Sequence, residues 1–176
     1  KLKIIKRLND FKKIIEQDFF YELCYCILTP QSNGKQCWEA VLRLKKEDFE
    51  HKDIDPAPYV YPIRFYKNKS KYLLELKYKF PIILKLLKNK KNKNEKSLRE
   101  FLIKNVKVYG YKEASHALRN IGFTNLAILD RHILKNLQHI GIIKSIPKTV
   151  TKKNYLKIEK KFQKFSEKIN IPMDHL

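Results

Sequence analysis

Apolar residues recur at spacings of three and four along most of the 176-residue chain, and this helical periodicity constrains the fold more than any other feature. The alternation typical of half-buried strands is almost absent, and glycine occurs only four times. A chain of this length suits one domain, or two small lobes that share a core. The sequence therefore predicts an all-α fold.

The first third of the chain is predicted to form three helices. The first covers residues 2–16, and the second is almost wholly apolar and is ended by Thr29-Pro30. The third begins near Ser32. The side chains expected to face the core from the first and third helices are Leu8, Phe11, Ile14, Ile15, Trp38, Val41 and Leu42.

Prolines and lysines organise the middle of the chain. Residues 51–63 contain three prolines and are predicted to form an extended connection, whereas Pro81 is predicted to open a new helix. Residues 88–97 are basic and of low complexity, which favours a solvated loop, with phosphate contact as the alternative. A last strong helix is predicted at about 152–169.

The charge balance narrows the choice of partner. Lysine and arginine together number 39 against 18 aspartates and glutamates, which gives a formal net charge of +21. Such a chain is attracted to polyanions through counterion release and long-range steering. Lysine-rich usage also occurs in heat-adapted proteins, but it is usually accompanied by balancing glutamate, which is missing here. Nucleic acid is therefore favoured over a membrane surface or an acidic protein.

The three cysteines, Cys24, Cys26 and Cys37, indicate a reducing compartment. Their odd number and their spacing match neither a disulfide framework nor a set of zinc ligands, so no metal and no cofactor is predicted. No apolar run approaches the roughly 18 residues that a membrane span needs, and the basic, amphipathic start does not resemble a signal peptide. We therefore expect a cytoplasmic protein without a membrane partner.

Candidate chemistry is concentrated in residues 101–134. An apolar helix is predicted to end near Asn105, and a turn that contains Gly110 leads into a new helix at Lys112, so the segment forms a helical hairpin. Backbone N–H groups at such a turn can hold a DNA phosphate. The positive end of the helix disfavours an ammonium at Lys112, and a neutral amine can form a Schiff base. The alternative is an ordinary surface lysine.

Asp130 is the second candidate. It follows the apolar residues 126–129 and precedes a predicted helix, which is the position of an N-cap. Capping is the structural interpretation. A carboxylate at the entrance of a helix could also stabilise positive charge on a reacting sugar, and the two roles are compatible.

These motifs resemble the helix-hairpin-helix superfamily of base-excision DNA glycosylases. VYGYK is similar to that superfamily's hairpin followed by its catalytic lysine, and LAILD is similar to the stretch that ends in its essential aspartate. The separation of 18 residues between Lys112 and Asp130 fits the same pattern. The segments GYKEASHALRNIGF and LCYCILTPQSNGKQCW most resemble the archaeal second-type 8-oxoguanine DNA glycosylases.

The resemblance implies a two-lobed helical bundle with the active-site cleft between the lobes. Residues 1–176 would form one glycosylase unit of two helical subdomains, with the hairpin motif at about 98–121 and the aspartate segment reaching about 134. In the family, a further helix beyond Leu176 would supply an aromatic residue and a C-terminal lysine to the base pocket. The implied protein is a monomer that binds double-stranded DNA containing oxidised guanine.

The resemblance also implies how that DNA is processed. Lys112 would attack the anomeric carbon of a flipped 8-oxoguanine nucleotide, and Asp130 would stabilise the sugar as the base leaves. β-Elimination from the Schiff base would then cleave the strand. No cofactor is required for these steps.

Several further residues are candidates for DNA contact or proton transfer. Gln31, Ser32 and Asn33 lie in a turn that contacts DNA in the superfamily, although Ser32 or Asn33 could simply cap the third helix. Gly110 and Arg131 are predicted to bind DNA as well. The remaining candidates, each with an ordinary structural role as the alternative, are Arg119 for phosphate, His116 and His132 for acid–base chemistry, and Tyr109 and Tyr111 for packing on the hairpin or a sugar.

Three other functions remain compatible with the sequence. A non-catalytic helix-hairpin-helix module would use the same hairpin and charge, but it would need neither Lys112 nor Asp130. A glycosylase for another damaged base would differ only in its base pocket. A basic RNA-binding protein is disfavoured, because the aromatic strand motifs of the common sheet-based modules are absent.

Overall fold

The computed structural model describes residues 2–88 and 94–176, and within these ranges the chain is all-helical, which confirms the predicted fold class. Residues 89–93, the middle of the basic segment at 88–97, lie outside the described residues. No helix in the described ranges is long and apolar enough to cross a membrane. The helices are α1 (Leu2–Lys12), α2 (Glu16–Leu28), α3 (Gly34–Lys46), α4 (Ala57–Val60), α5 (Tyr66–Leu87), α6 (Glu95–Asn105), α7 (Tyr111–Asn120), α8 (Arg131–His139) and α9 (Lys152–Lys168), and a 3₁₀ turn covers Met173–His175.

The first hydrophobic core surrounds α2. This helix is buried on nearly all sides and packs against α3, α5 and α7. Cys24 and Cys26 are fully buried in it as free thiols, as expected for small core residues. Because α7 packs directly on α2, the position of the hairpin's second helix is fixed by the centre of this core.

A second hydrophobic core is formed by α8, α9 and the chain that precedes α8. Leu126 belongs to the first core, whereas the adjacent Ala127 and the nearby Leu129 belong to the second. The irregular segment that leads to Asp130 therefore runs along the boundary between the two cores. This arrangement agrees with the expected two-lobed bundle.

The structure corrects the predicted core faces of the first and third helices. Helix α1 ends at Lys12, and Phe11 in its last turn contacts the Arg119 guanidinium of α7. Ile15 lies outside the helix as the exposed N-cap of α2. Helix α3 is rotated from the predicted orientation, because the face that contains Cys37 packs on the first core. It buries Cys37, Ala40, Val41 and Leu44, and leaves Trp38 and Leu42 exposed.

Pro81 does not open a helix, and this prediction was wrong. It lies inside the continuous helix α5, whose buried positions Leu73, Leu76, Phe80, Ile83 and Leu87 keep one face in the first core on both sides of the proline. Packing along this face offsets the cost of about 3 kcal/mol that an interior proline imposes on a helix. The predicted extended connection at 51–63 also contains a short helix, α4.

A buried ion pair joins α6 to α9. The Arg99 guanidinium donates to both carboxylate oxygens of Glu159, at 2.6 and 2.8 Å, and the two side chains are only 1% and 4% exposed. The guanidinium carbon lies 4.9 Å from the ring centre of Tyr111 and 5.5 Å from that of Tyr155. This two-pronged geometry specifies both the distance and the orientation of the helices it joins.

Glu159→Gln should destabilise the fold strongly, because it leaves the Arg99 guanidinium buried without a counter-charge. We expect the free energy of unfolding to fall by about 3–5 kcal/mol, as measured by urea denaturation. Lys88→Gln breaks an ion pair with Glu16 that is half exposed on both sides and should change the same quantity by less than about 1 kcal/mol. If the free energy of unfolding fell by similar amounts in the two variants, the result would contradict a buried ion pair between Arg99 and Glu159.

Candidate active site

The predicted hairpin is present between α6 and α7. Gly110 is the N-cap of α7, and its carbonyl accepts a hydrogen bond from the Ala114 N–H at 3.0 Å. A side chain at this position would place Cβ 3.3 Å from the Glu113 carboxylate, so glycine keeps the approach to the start of α7 open. Tyr109 is buried beneath the turn, where its hydroxyl donates to the Leu23 carbonyl at 2.9 Å.

Val108, at the tip of the hairpin, has a left-handed backbone with φ of 67°. A β-branched residue disfavours this conformation. The side chain is 43% exposed, so its burial does not fully compensate for the cost of the left-handed backbone. The hairpin therefore contains local backbone strain two residues before Gly110.

Lys112 occupies the first turn of α7 and is 29% exposed. Its amine lies 3.5 Å from a carboxylate oxygen of Glu113. The side chain is thus partly withdrawn from solvent and lies in the first turn of the helix, at the position that the sequence predicts.

Asp130 is the N-cap of α8, and its carboxylate accepts a hydrogen bond from the Ile133 N–H at 2.8 Å. The structural interpretation of this residue is therefore confirmed. The half-buried side chain also lines a cleft of about 210 Å³, together with Arg119, Ile133 and Phe162. Capping holds one carboxylate oxygen against the helix and directs the group to the cleft.

The segment before Asp130 contains neither helix nor strand, and side chains of α9 complete its hydrogen bonds. Glu159 accepts from the Ala127 N–H, and the Tyr155 hydroxyl bonds to the backbone of both Ala127 and Leu129. No motif in the sequence pointed to a role for these residues or for Arg99. A signal was available, because Glu159 shares the apolar stripe of Tyr155, Ile158 and Phe162, where a carboxylate requires a buried partner.

His116 lies one turn after Lys112 in a mostly buried position. Its ring meets Tyr25 edge to face with centroids 5.8 Å apart, and its buried Nδ1 has no hydrogen-bond partner among the described residues. Burial, followed by the charges of Arg119 and Lys112, lowers the pKa of His116 to about 3. The imidazole is therefore neutral near pH 7, which disfavours a role as proton donor. His132 is exposed.

The two candidate arginines differ in their surroundings. Arg119 is mostly buried, and its guanidinium lies 4.9 Å from the Phe11 ring centre and donates to the Asn120 side chain at 3.2 Å. It borders the same cleft as Asp130. Arg131 is the exposed first residue of α8, directly after the cap.

The turn at residues 31–33 has well-defined internal geometry. Gln31 is exposed with φ of 56°, and Asn33 caps α3 by accepting from the N–H groups of Lys35 and Gln36. The Ser32 hydroxyl accepts from the buried Lys69 ammonium at 2.9 Å, which the sequence analysis missed. Burial lowers the pKa of Lys69. Its amine also donates to the carbonyls of Leu28, the last residue of α2, and of Pro30.

Tyr25 links this turn to the hairpin helix. A side chain added at Gly34 would meet the Tyr25 hydroxyl at 3.1 Å, and the Tyr25 ring contacts both Trp38 and His116. The start of α3 therefore lies beside α7, one turn from Lys112. The turn at 31–33, the hairpin and the lysine are brought to one region of the molecule.

Comparison with known proteins gives a consistent family. The family model described as 8-oxoguanine DNA glycosylase matches residues 4–171. A protein of Fusobacterium nucleatum named 8-oxoguanine DNA glycosylase/AP lyase is 44% identical over 97% of this chain and 83% of its own length. A protein of the same name from Methanocaldococcus jannaschii is 36% identical over 99% of this chain and 84% of its own.

Solved structures agree with these sequence matches. The 8-oxoguanine DNA glycosylase of Thermotoga maritima superposes with a TM-score of 0.84 at 31% identity, over 98% of this chain and 84% of that one. The M. jannaschii 8-oxoguanine glycosylase/lyase superposes with a TM-score of 0.80 at 32% identity, over 98% of this chain and 84% of that one. That structure is a complex with a 15mer DNA containing 8-oxoguanine.

Val108→Gly should stabilise the protein by about 0.5–1 kcal/mol. The left-handed conformation costs an ordinary residue about 1–2 kcal/mol, and the greater freedom of glycine in the unfolded chain offsets part of the gain. Lys107→Gly, at a neighbouring position without positive φ, should instead lower stability. Thermal unfolding of both variants measures the difference, and a lower midpoint for Val108→Gly would contradict strain at the hairpin.

Acidification should destabilise the fold through His116. The unfolded residue titrates near pH 6.5 and the folded one near pH 3. The contribution of a neutral His116 is therefore complete above pH 6.5 and is lost as the pH falls toward 3, at up to about 1.4 kcal/mol per pH unit. Urea denaturation between about pH 7 and about pH 4 should show a shallower slope in His116→Gln, and equal slopes would contradict a buried neutral imidazole.

Proposed function

The chain belongs to the 8-oxoguanine DNA glycosylase family, and from this premise we propose that it removes 8-oxoguanine from double-stranded DNA and then cleaves the strand. One observation supports this most directly. Lys112 lies in the first turn of the hairpin's second helix, and the Asp130 carboxylate caps a helix at a cleft along the boundary between the two cores. A DNA-binding module without catalysis would need neither group.

The first step is excision of the damaged base. The Lys112 amine attacks C1′ of the flipped nucleotide and forms a C–N bond as the bond from C1′ to the base breaks. The bonding electron pair leaves with the base, which gains a proton as the amine loses one. The Asp130 carboxylate stabilises the positive charge that develops on the sugar, and its half-buried position strengthens that interaction.

The second step is strand cleavage. Opening of the sugar ring, with O4′ gaining a proton, converts the lysine adduct into a Schiff base. Transfer of a proton from C2′ to water then breaks the C3′–O3′ bond, and the 3′ side of the strand leaves with the bonding electron pair as its 5′-phosphate. Water hydrolyses the imine and regenerates the Lys112 amine.

DNA binding uses the features around these two residues. Backbone N–H groups near Gly110 at the start of α7, and Arg131 at the start of α8, would contact phosphates. The exposed Gln31, with Ser32 and Asn33 holding its turn, would contact the DNA near the flipped base. The net charge of +21 supports association. We expect a monomer that acts on DNA in the cytoplasm.

Borohydride trapping on a duplex with a single 8-oxoguanine tests the lysine directly. Reduction of the Schiff base should join the parent chain covalently to DNA, and Lys112→Gln should lower the yield by at least about 1,000-fold, because the nucleophile is lost. Lys104→Gln removes an exposed lysine of α6 and should trap as the parent does. Duplex binding without trapping by the parent would favour the non-catalytic module.

Asp130→Asn separates the two roles of this residue, because it keeps a side chain that can cap the helix and removes the negative charge. Asparagine is an equally good N-cap, so the stability should be unchanged. Excision of 8-oxoguanine should fall by about 100-fold or more, because the stabilising charge is lost. Cleavage of a duplex with a pre-formed abasic site should fall less, since no base has to leave. Unchanged excision would exclude the proposed role of Asp130.

A further inference from the structure

We propose that Tyr155, supported by Glu159 and Arg99, is a positioning residue that fixes Asp130 relative to Lys112. The inference rests on the roles proposed above for Lys112 and Asp130. No atom of Tyr155 needs to contact the DNA. The hydroxyl acts through the backbone that leads to Asp130 and through its contact with α7.

The backbone leading to Asp130 needs external hydrogen-bond partners. Leu126, Ala127 and Leu129 are buried, yet this segment lies in neither a helix nor a sheet that would pair its backbone N–H and C=O groups. Buried backbone N–H and C=O groups without hydrogen-bond partners are costly. Side chains must therefore provide the partners that a neighbouring strand would provide in a sheet. The final residues before the N-cap are therefore placed by the groups that satisfy their backbone.

One hydroxyl satisfies two of these groups. The Tyr155 O–H donates to the Ala127 carbonyl at 2.5 Å and accepts from the Leu129 N–H at 3.3 Å. Burial raises the pKa of Tyr155 to about 12, so the hydroxyl keeps its proton and can donate. The two bonds span the residues immediately before Asp130, and they fix the direction in which the chain enters α8.

Glu159 fixes the same segment from one turn further along α9. Its Oε1 accepts from the Ala127 N–H at 3.0 Å and from the Arg99 guanidinium at 2.6 Å. The second carboxylate oxygen is held by the same guanidinium at 2.8 Å. Both backbone polar groups of Ala127 are thereby bound to α9, and the carboxylate that holds one of them cannot rotate freely.

Ser115 connects this cluster to the helix that contains Lys112. The buried Ser115 hydroxyl lies 3.5 Å from the Tyr155 hydroxyl and accepts from Arg99 at 3.2 Å. Ser115 follows Lys112 by one turn of α7. A continuous set of contacts therefore joins the lysine's helix to the residue before Asp130, and it crosses the boundary between the cores.

Misplacement of Asp130 should affect base excision and abasic-site cleavage to different extents. Displacement of a reacting group by about 1 Å can lower a rate 100-fold. Base excision depends on both Asp130 and Lys112, whereas cleavage at an existing abasic site needs the lysine alone to form the Schiff base. Loss of the Tyr155 hydroxyl should therefore impair excision more than abasic-site cleavage.

Tyr155→Phe tests this selectivity, because the ring and its contacts with Tyr111 and Arg99 remain. We expect the single-turnover rate of 8-oxoguanine excision to fall by about 10–100-fold. Abasic-site cleavage should fall by less than about threefold, and the duplex Kd should stay unchanged. Equal loss of both reactions would indicate general destabilisation and overturn the proposal, as would unchanged excision.

Tyr21→Phe is the matched control. Tyr21 is also buried, and its hydroxyl accepts from a backbone N–H, that of Glu50, at 3.4 Å. It belongs to the first core, and the hydrogen bond and ring contacts of its side chain are with Glu50, Phe20 and Lys45 rather than with Ala127 or Leu129. Both reactions should proceed at the parent rate, and a selective loss of excision in this variant would also overturn the proposal.

Amide hydrogen exchange tests the same contact without any activity. In Tyr155→Phe the Leu129 amide loses its acceptor, so its exchange rate should rise by at least about tenfold, while that of the Leu23 amide in α2 should not change. Unchanged protection of Leu129 would overturn the inference. If the parent chain failed to excise 8-oxoguanine, the proposed function would fall, and the exchange result would still decide whether Tyr155 holds the segment.

Discussion

The ion pair between Arg99 and Glu159 is the interaction on which the rest of the structure depends. Removing both charges from water is costly, and only the two-pronged geometry and the additional bonds to Ser115 and the Ala127 N–H compensate for it. An apolar contact of the same size would not specify direction. The pair therefore joins α6, α7, α9 and the aspartate segment in a single relative arrangement.

This arrangement explains how the Asp130 carboxylate is placed at the cleft. Asp130 is oriented locally by its bond to the Ile133 N–H, as any helix cap would be. The position of the whole cap depends on α9, through the backbone of Ala127 and Leu129. A residue that stabilises its helix is thereby also available to act on a substrate.

One face of α7, on the side of the helix away from Ala114, Ala117 and Leu118 of the first core, contains three side chains that can be positively charged. Lys112, His116 and Arg119 follow one another along this face, and three positive charges there would repel one another. Burial keeps His116 neutral, and the Arg119 guanidinium is placed against the Phe11 ring. The lysine thus lies on a face with less positive charge than the sequence suggests.

Local interactions made part of this protein predictable from its sequence. The helices, the hairpin before Lys112 and the cap at Asp130 depend on residues within one or two turns of each other. Only the tertiary structure decided which face α3 buries, and why Pro81 remains within α5, because those outcomes follow from packing against distant helices. Arg99 and Glu159 are 60 residues apart, and no local pattern pairs them. The sequence alone thus determined which groups are candidates for the chemistry, while long-range burial and hydrogen bonding determined how the elements that contain them are held together.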